Sequence, residues 1–137
     1  MNTNNNQLLL IHWNCNPIKN KIDELNEFCK LYKPHIISLN ETKLSEENAK
    51  YYLELPNYNI VHRARSKTVN GAGGVALLVR KDVKFCNDNM FDSLHLETCA
   101  INIFIENKEI LIMSYFKPPN VQLSSTLFNE IIKQKSR

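Results

Sequence analysis

The sequence predicts an α/β layered fold, a mixed sheet with flanking helices. Three observations carry this. Short apolar runs at Leu8–Ile11, Ile36–Leu39 and Ile110–Met113 have the length of buried strands. An amphipathic stretch, Asn20–Tyr32, separates the first two runs, which makes a strand–helix–strand opening and hence a parallel, right-handed unit. The later strands follow one another like a meander, so the sheet is not uniformly doubly wound.

Residues 1–7 are polar and Asn-rich and read as a disordered tail ahead of one domain over 8–137. Leu8–Trp13 is the first strand. The helix over Asn20–Tyr32 takes Asn20 as cap and Asp23 and Glu24 in its first turn. Its apolar residues Ile22, Leu25, Phe28, Cys29 and Tyr32 recur at three and four. Pro34 stops it, and His35–Leu39 is the second strand. Ser45 caps a shorter helix to Leu53, broken by Pro56-Asn57. Strands follow at Asn59–His62 and Gly73–Val79, with a polar turn region over Arg63–Gly71 between them. Leu94–Ile105 and Glu109–Tyr115 flank Glu106-Asn107-Lys108, a hairpin signal without the favoured Asn-Gly pair. Pro118-Pro119 ends the sheet, and Leu123–Ile132 is an amphipathic helix.

Bulk properties exclude several classes. The chain has 137 residues, 43% hydrophobic and 23% charged, which is globular composition and neither disordered nor fibrous. A net charge of +3 permits a nucleic-acid partner without demanding one. Cys15, Cys29, Cys86 and Cys99 form no CxxC pair, so a zinc knuckle is not expected, and each thiol reads as a small core hydrophobe in an intracellular protein. The first apolar run is too short for a signal sequence or a membrane span. His12, His35, His62 and His95 lack metal-ligand spacing and read as structural.

Chemistry concentrates in three polar islands at strand ends: Trp13-Asn14-Cys15-Asn16, Asn40-Glu41-Thr42-Lys43 and Tyr115 through Pro119. Functional groups collect where strands of open α/β sheets end. Glu41 leaves a buried strand, where a carboxylate is paired, hydrogen-bonded or metal-bound; the plain alternative is a salt bridge to Lys43. Asn14 and Asn16 suit phosphate or metal-bound water, but taken alone Asn-x-Asn-Pro reads first as a strand-to-loop break. The Tyr115 hydroxyl is a phosphate donor or an ordinary strand aromatic. Arg63, Arg65 and Lys67 form a basic arm for backbone phosphates or a solvated loop. Arg80, Lys81 and Lys84 belong to the other end of the same strand region and are not joined to that arm. Gly71-Ala72-Gly73-Gly74 lacks the Gly-Lys-Ser/Thr ending of a P-loop.

In order, these stretches resemble the endonuclease/exonuclease/phosphatase family. The look is that of the apurinic-type endonuclease domain of non-LTR retrotransposon polyproteins. The matching residues are Ile11–Asn16, Pro34–Leu44, Gly73–Arg80 and Ser114–Asn120. The resemblance implies the N-terminal half of a four-layer αββα sandwich and a Mg2+ (or Mn2+) cofactor. The implied reaction is hydrolysis of a DNA phosphodiester, nicking a target site to prime reverse transcription. Asn14 and Tyr115 would be catalytic groups at the phosphate, Glu41 the metal ligand, and Asn16 a metal residue where some relatives carry Asp. DNA would be the partner and, in a longer parent, a reverse transcriptase domain and element RNA. The location would be intracellular, and nuclear in a functional element.

The family also carries an Asp-x-Asn motif and a later Asp-His pair, and no Asp occurs after Asp92. The expectation is therefore an inactive first half of such a domain, lacking the second sheet, with an exposed apolar face and poor stability. Two other readings stay open. One is a phosphatase-type or sphingomyelinase-like member of the family. The other is a non-catalytic retroelement remnant that binds nucleic acid weakly.

Overall fold

The computed structural model describes residues 7–64, 73–89 and 97–116. In chain order its elements are β1 (Leu10–Asn14), α1 (Ile22–Tyr32), β2 (Ile36–Asn40), α2 (Glu46–Tyr52), β3 (Tyr58–Arg63), β4 (Val75–Arg80), β5 (Phe85–Asn87), β6 (Glu97–Ile105) and β7 (Lys108–Phe116). Residues 1–6 of the expected tail, Pro118-Pro119 and the expected helix at Leu123–Ile132 lie outside the described residues.

The opening strand–helix–strand unit is present, with β1 and β2 parallel. α1 forms because Leu25 and Cys29, four residues apart, face the sheet while its acidic residues sit in the first turn and Lys30 in the last. Its start corrects the sequence reading. Lys21, not Asn20, is the N-cap residue and makes no side-chain capping bond; its ammonium instead binds the carbonyls of Cys15 and Asn16. Packing of the preceding loop thus overrides local capping. The helix ends at Lys33, left-handed at φ 45, whose N–H bonds Cys29 O. Ser45 caps α2 as expected, accepting from Asn48 N at 3.2 Å.

The first sheet has the order β1-β2-β4-β3, with β4 antiparallel to both neighbours. Its outer face carries the helices. Ile37, Leu39, Ala76 and Leu78 pack there against Leu25, Cys29, Ala49 and Leu53. The Tyr58 hydroxyl donates to Pro34 O at 2.6 Å and ties β3 to the loop before β2.

A second sheet, β5-β6-β7, is the main correction. The inner face of the first sheet was expected to lie bare. Ile36, Val75, Leu77 and Val79 instead pack against Cys99, Ile101 and Ile103, and all of them are buried. The β6–β7 hairpin folds over the first sheet rather than extending it. Its turn holds Glu106 and Asn107 at φ 49 and 63, the two positive angles that a two-residue hairpin with strand-matching twist requires. The short strand β5 was not foreseen, because three residues carry too little periodicity to be read. The described residues thus supply one helix layer and two packed sheets. Among them no helix is long and apolar enough to cross a membrane.

A candidate active-site rim

Register gathers the polar strand ends. Asn14 pairs with Asn40, Asn40 with Val75, and Val75 with Arg63, so one row crosses all four strands at a single rim. Glu41 follows Asn40 directly, half-buried. Arg80 pairs with Tyr58 at the opposite end of β4, where it holds Asp82 at 2.6 and 2.9 Å. Arg63 and Arg80 therefore sit at opposite ends of β4. Arg65 and Lys67 lie outside the described residues.

The second sheet joins this rim through a chain of hydrogen bonds. His12 Nδ1 meets Ser38 Oγ at 3.0 Å, and Ser38 donates to Ser114 Oγ at 2.9 Å. Ser114 donates to Asn40 Oδ1 at 3.1 Å, while Asn40 Nδ2 donates to Tyr115 O at 3.1 Å. Asn40 thereby uses both ends of its amide to hold β7 against β2. Tyr115 reaches the rim through its backbone. It pairs with Thr98 on the face opposite Ser114, so strand alternation turns its phenol away from the first sheet. Asn14 is exposed at the end of the edge strand β1. Asn16 is also exposed, in a cis peptide with Pro17, its carbonyl 3.3 Å from Lys21 Nζ.

The Glu41 turn is fixed from several sides. Glu41 and Lys43 are left-handed at φ 55 and 54, an uncommon state for residues with a Cβ. Thr42 N donates to Gly74 O at 3.2 Å and Lys43 N to Gly73 O at 2.7 Å. Gly74 N donates in turn to Oε1 of the buried Glu97 at 2.8 Å. Gly74 itself sits at φ 92, and a Cβ there would meet Thr42 Oγ1 at 2.4 Å. Gly73 and Gly74 thus serve close packing against the Glu41 turn. The Cys15 thiol under the rim donates to Asn40 O at 3.2 Å. Burial pushes its pKa up to about 11, with the carboxylate of Glu41 adding to the shift and Lys21 opposing it. It is a protonated structural thiol, not a nucleophile. Cys29 and Cys99 are likewise buried, but Cys86 is exposed, which corrects its reading as a core residue.

Asn40, Ser38, Ser114 and Glu97 were not singled out as site residues. A buried strand written Ile-Ile-Ser-Leu-Asn carried the available signal: two polar side chains on one face of an otherwise apolar strand require partners. The identity of those partners, more than seventy residues away, was not legible.

The donor chemistry of the rim suits Mg2+. Glu41 and the Asn14 amide offer hard oxygen donors at one rim, of the kind Mg2+ takes when it binds through one or two carboxylates and keeps several waters. These residues fit a hydrated ion. They do not form a protein-only cage, since among the described residues no group of three His, Cys, Asp or Glu could hold a metal.

The model of the endonuclease/exonuclease/phosphatase family matches residues 11–130. No curated protein matches significantly. An AP endonuclease from Leishmania major is similar in structure at TM-score 0.63 and 14% identity, covering 91% of this chain and 43% of that one. The endonuclease domain of TRAS1, a telomere-specific non-LTR retrotransposon, gives 0.63 and 15%, covering 92% and 51%. A 3′ phosphatase from Neisseria bound to product DNA hairpin gives 0.59 and 16%, covering 95% and 49%. At such identities the likeness establishes the fold. The chain spans about half the length of these structures.

Proposed function

The chain belongs to the endonuclease/exonuclease/phosphatase family, and we propose that its rim forms the phosphate- and metal-facing part of a DNA phosphodiester hydrolase. The observation that carries this reading is the register row that puts Asn14, Asn40 and Arg63 on one edge, with Glu41 next in the chain. In this reading Glu41 holds Mg2+ or Mn2+, and Asn14 donates its amide N–H to a non-bridging oxygen of the scissile phosphate. Asn16 orients water of the metal shell. Tyr115 donates its hydroxyl to the same phosphate, which requires its side chain to turn toward the rim when substrate is seated. Arg63, with Arg65 and Lys67, binds the flanking DNA backbone. A bound divalent ion supplies stabilisation of charge on the phosphate and the leaving oxygen.

The structural likeness to the TRAS1 domain supports a narrower proposal: target-site nicking in a retroelement, with a reverse transcriptase domain and element RNA as partners and the nucleus as location. The Neisseria phosphatase neighbour keeps 3′-phosphate removal as the second reading.

Fluorescence anisotropy with labelled duplex DNA tests the proposal. The expected result is salt-dependent binding that Mg2+ strengthens, with the Mg2+ effect lost in Glu41→Gln while the melting temperature is kept. Nicking of supercoiled plasmid assigns endonuclease activity to this chain, and release of inorganic phosphate from a 3′-phosphorylated duplex assigns the phosphatase. DNA binding indifferent to both Mg2+ and Glu41 overturns the hydrolase reading and leaves a binding module.

A further inference from the structure

Behind the rim, Glu46, His62 and Thr42 form a line of side chains from three separate segments. Thr42 Oγ1 lies 3.0 Å from His62 Nε2, and His62 Nδ1 lies 3.5 Å from Glu46 Oε2. The spacing imitates a hydroxyl–imidazole–carboxylate triad. The hydroxyl cannot attack a substrate, because Thr42 is 0% exposed and Gly74 closes over its oxygen. Leu44 N also donates to Thr42 Oγ1 at 3.4 Å, beside its hydrogen bond with His62 Nε2. Burial lowers the pKa of His62 and Glu46 opposes the shift. Glu46 Oε1 also accepts from Ala64 N, next to Arg63, so the same carboxylate touches the start of the basic arm.

This line ends on the one residue between two left-handed neighbours. Glu41 and Lys43 both hold positive φ, a state that persists only when the surroundings over-determine it. Thr42 supplies that constraint through its side chain to His62 and its N–H to Gly74.

We infer that Thr42 and His62 are positioning residues for Glu41, holding its turn in the conformation that offers the carboxylate to a divalent cation. The inference rests on the metal role proposed for Glu41. Groups that orient a metal ligand from behind typically change metal affinity by about 10–100-fold when removed.

The test is Mn2+ binding to the intact chain, read by electron paramagnetic resonance of the free ion, beside a thermal melt of each variant. Glu41→Gln should abolish the site. Thr42→Val, nearly isosteric but unable to hydrogen-bond His62, should weaken Mn2+ by about tenfold, and Thr42→Ser, which keeps the hydroxyl, should restore the affinity. His62→Phe removes the hydrogen-bond partner from the other side and should match Thr42→Val; it serves if the valine variant does not fold. A purely structural role lowers the melting temperature and leaves Mn2+ affinity of the folded protein unchanged. Wild-type affinity in folded Thr42→Val or His62→Phe, with loss in Glu41→Gln, overturns the inference and keeps the metal role of Glu41. Mn2+ binding indifferent to Glu41→Gln overturns both.

Discussion

Glu41 shows how little a side chain's identity says without its backbone. A glutamate leading out of a strand is usually an exposed ion-pair partner. Here its φ of 55 and the closure of Gly73 and Gly74 over the turn set it apart. His62 makes the same point for titration. Burial lowers its pKa from the ordinary 6.5, so on acidification the unfolded chain takes up a proton before the folded one does. Its contribution to stability is complete above pH about 6.5 and is lost as pH falls through the folded value. Thermal melts from pH 8 to 5 should therefore show falling stability, with a smaller fall in His62→Phe. An equal fall in that variant would assign the pH dependence to other groups, such as His35, whose pKa burial and Arg80 also lower.

Among the elements, the β6–β7 hairpin is the most telling. Its sequence lacks the favoured turn pair, yet the structure imposes the two positive φ angles, on Glu106 at some cost and on Asn107 more easily. Replacing the pair by Asn-Gly (Glu106→Asn with Asn107→Gly) should stabilise the protein by about 1 kcal/mol, read by urea denaturation at an unchanged slope. A neutral or destabilising outcome would mean that the twist of the second sheet, not the turn, selects the hairpin geometry. The Asn40 clamp works between elements. Asn40→Ala leaves Ser114 Oγ without its acceptor and removes the bond to Tyr115 O, and should cost about 1–3 kcal/mol.

At the scale of the molecule, packing of the two sheets decides stability. Ile101 is fully buried between them, so Ile101→Ala should cost about 2–5 kcal/mol in a single cooperative transition. If circular dichroism instead showed the first sheet and its helices melting unchanged, the two sheets would be independent units and the buried interface incidental. The expected bare apolar face followed from reading the chain as the first half of a domain whose second sheet lies further on, whereas β5, β6 and β7 already cover that face.

What the sequence determined by itself was local. Apolar runs of strand length, the three-and-four spacing of Ile22, Leu25 and Cys29, Ser45 as a cap and the breaks at Pro34 and Pro56 are all short-range, and they placed nearly every described element to within two or three residues. Four motifs in order also carried the family, because rim residues are constrained in type as well as in position. Tertiary structure alone decided which face each strand end presents. The pairing of Asn40 with Ser114 and Tyr115, the turn of the Tyr115 phenol away from the first sheet, and the contact of Thr42 with His62 depend on register and twist. A one-residue change of register reverses every side chain of a strand, and no local pattern fixes the register between strands that lie far apart in the chain.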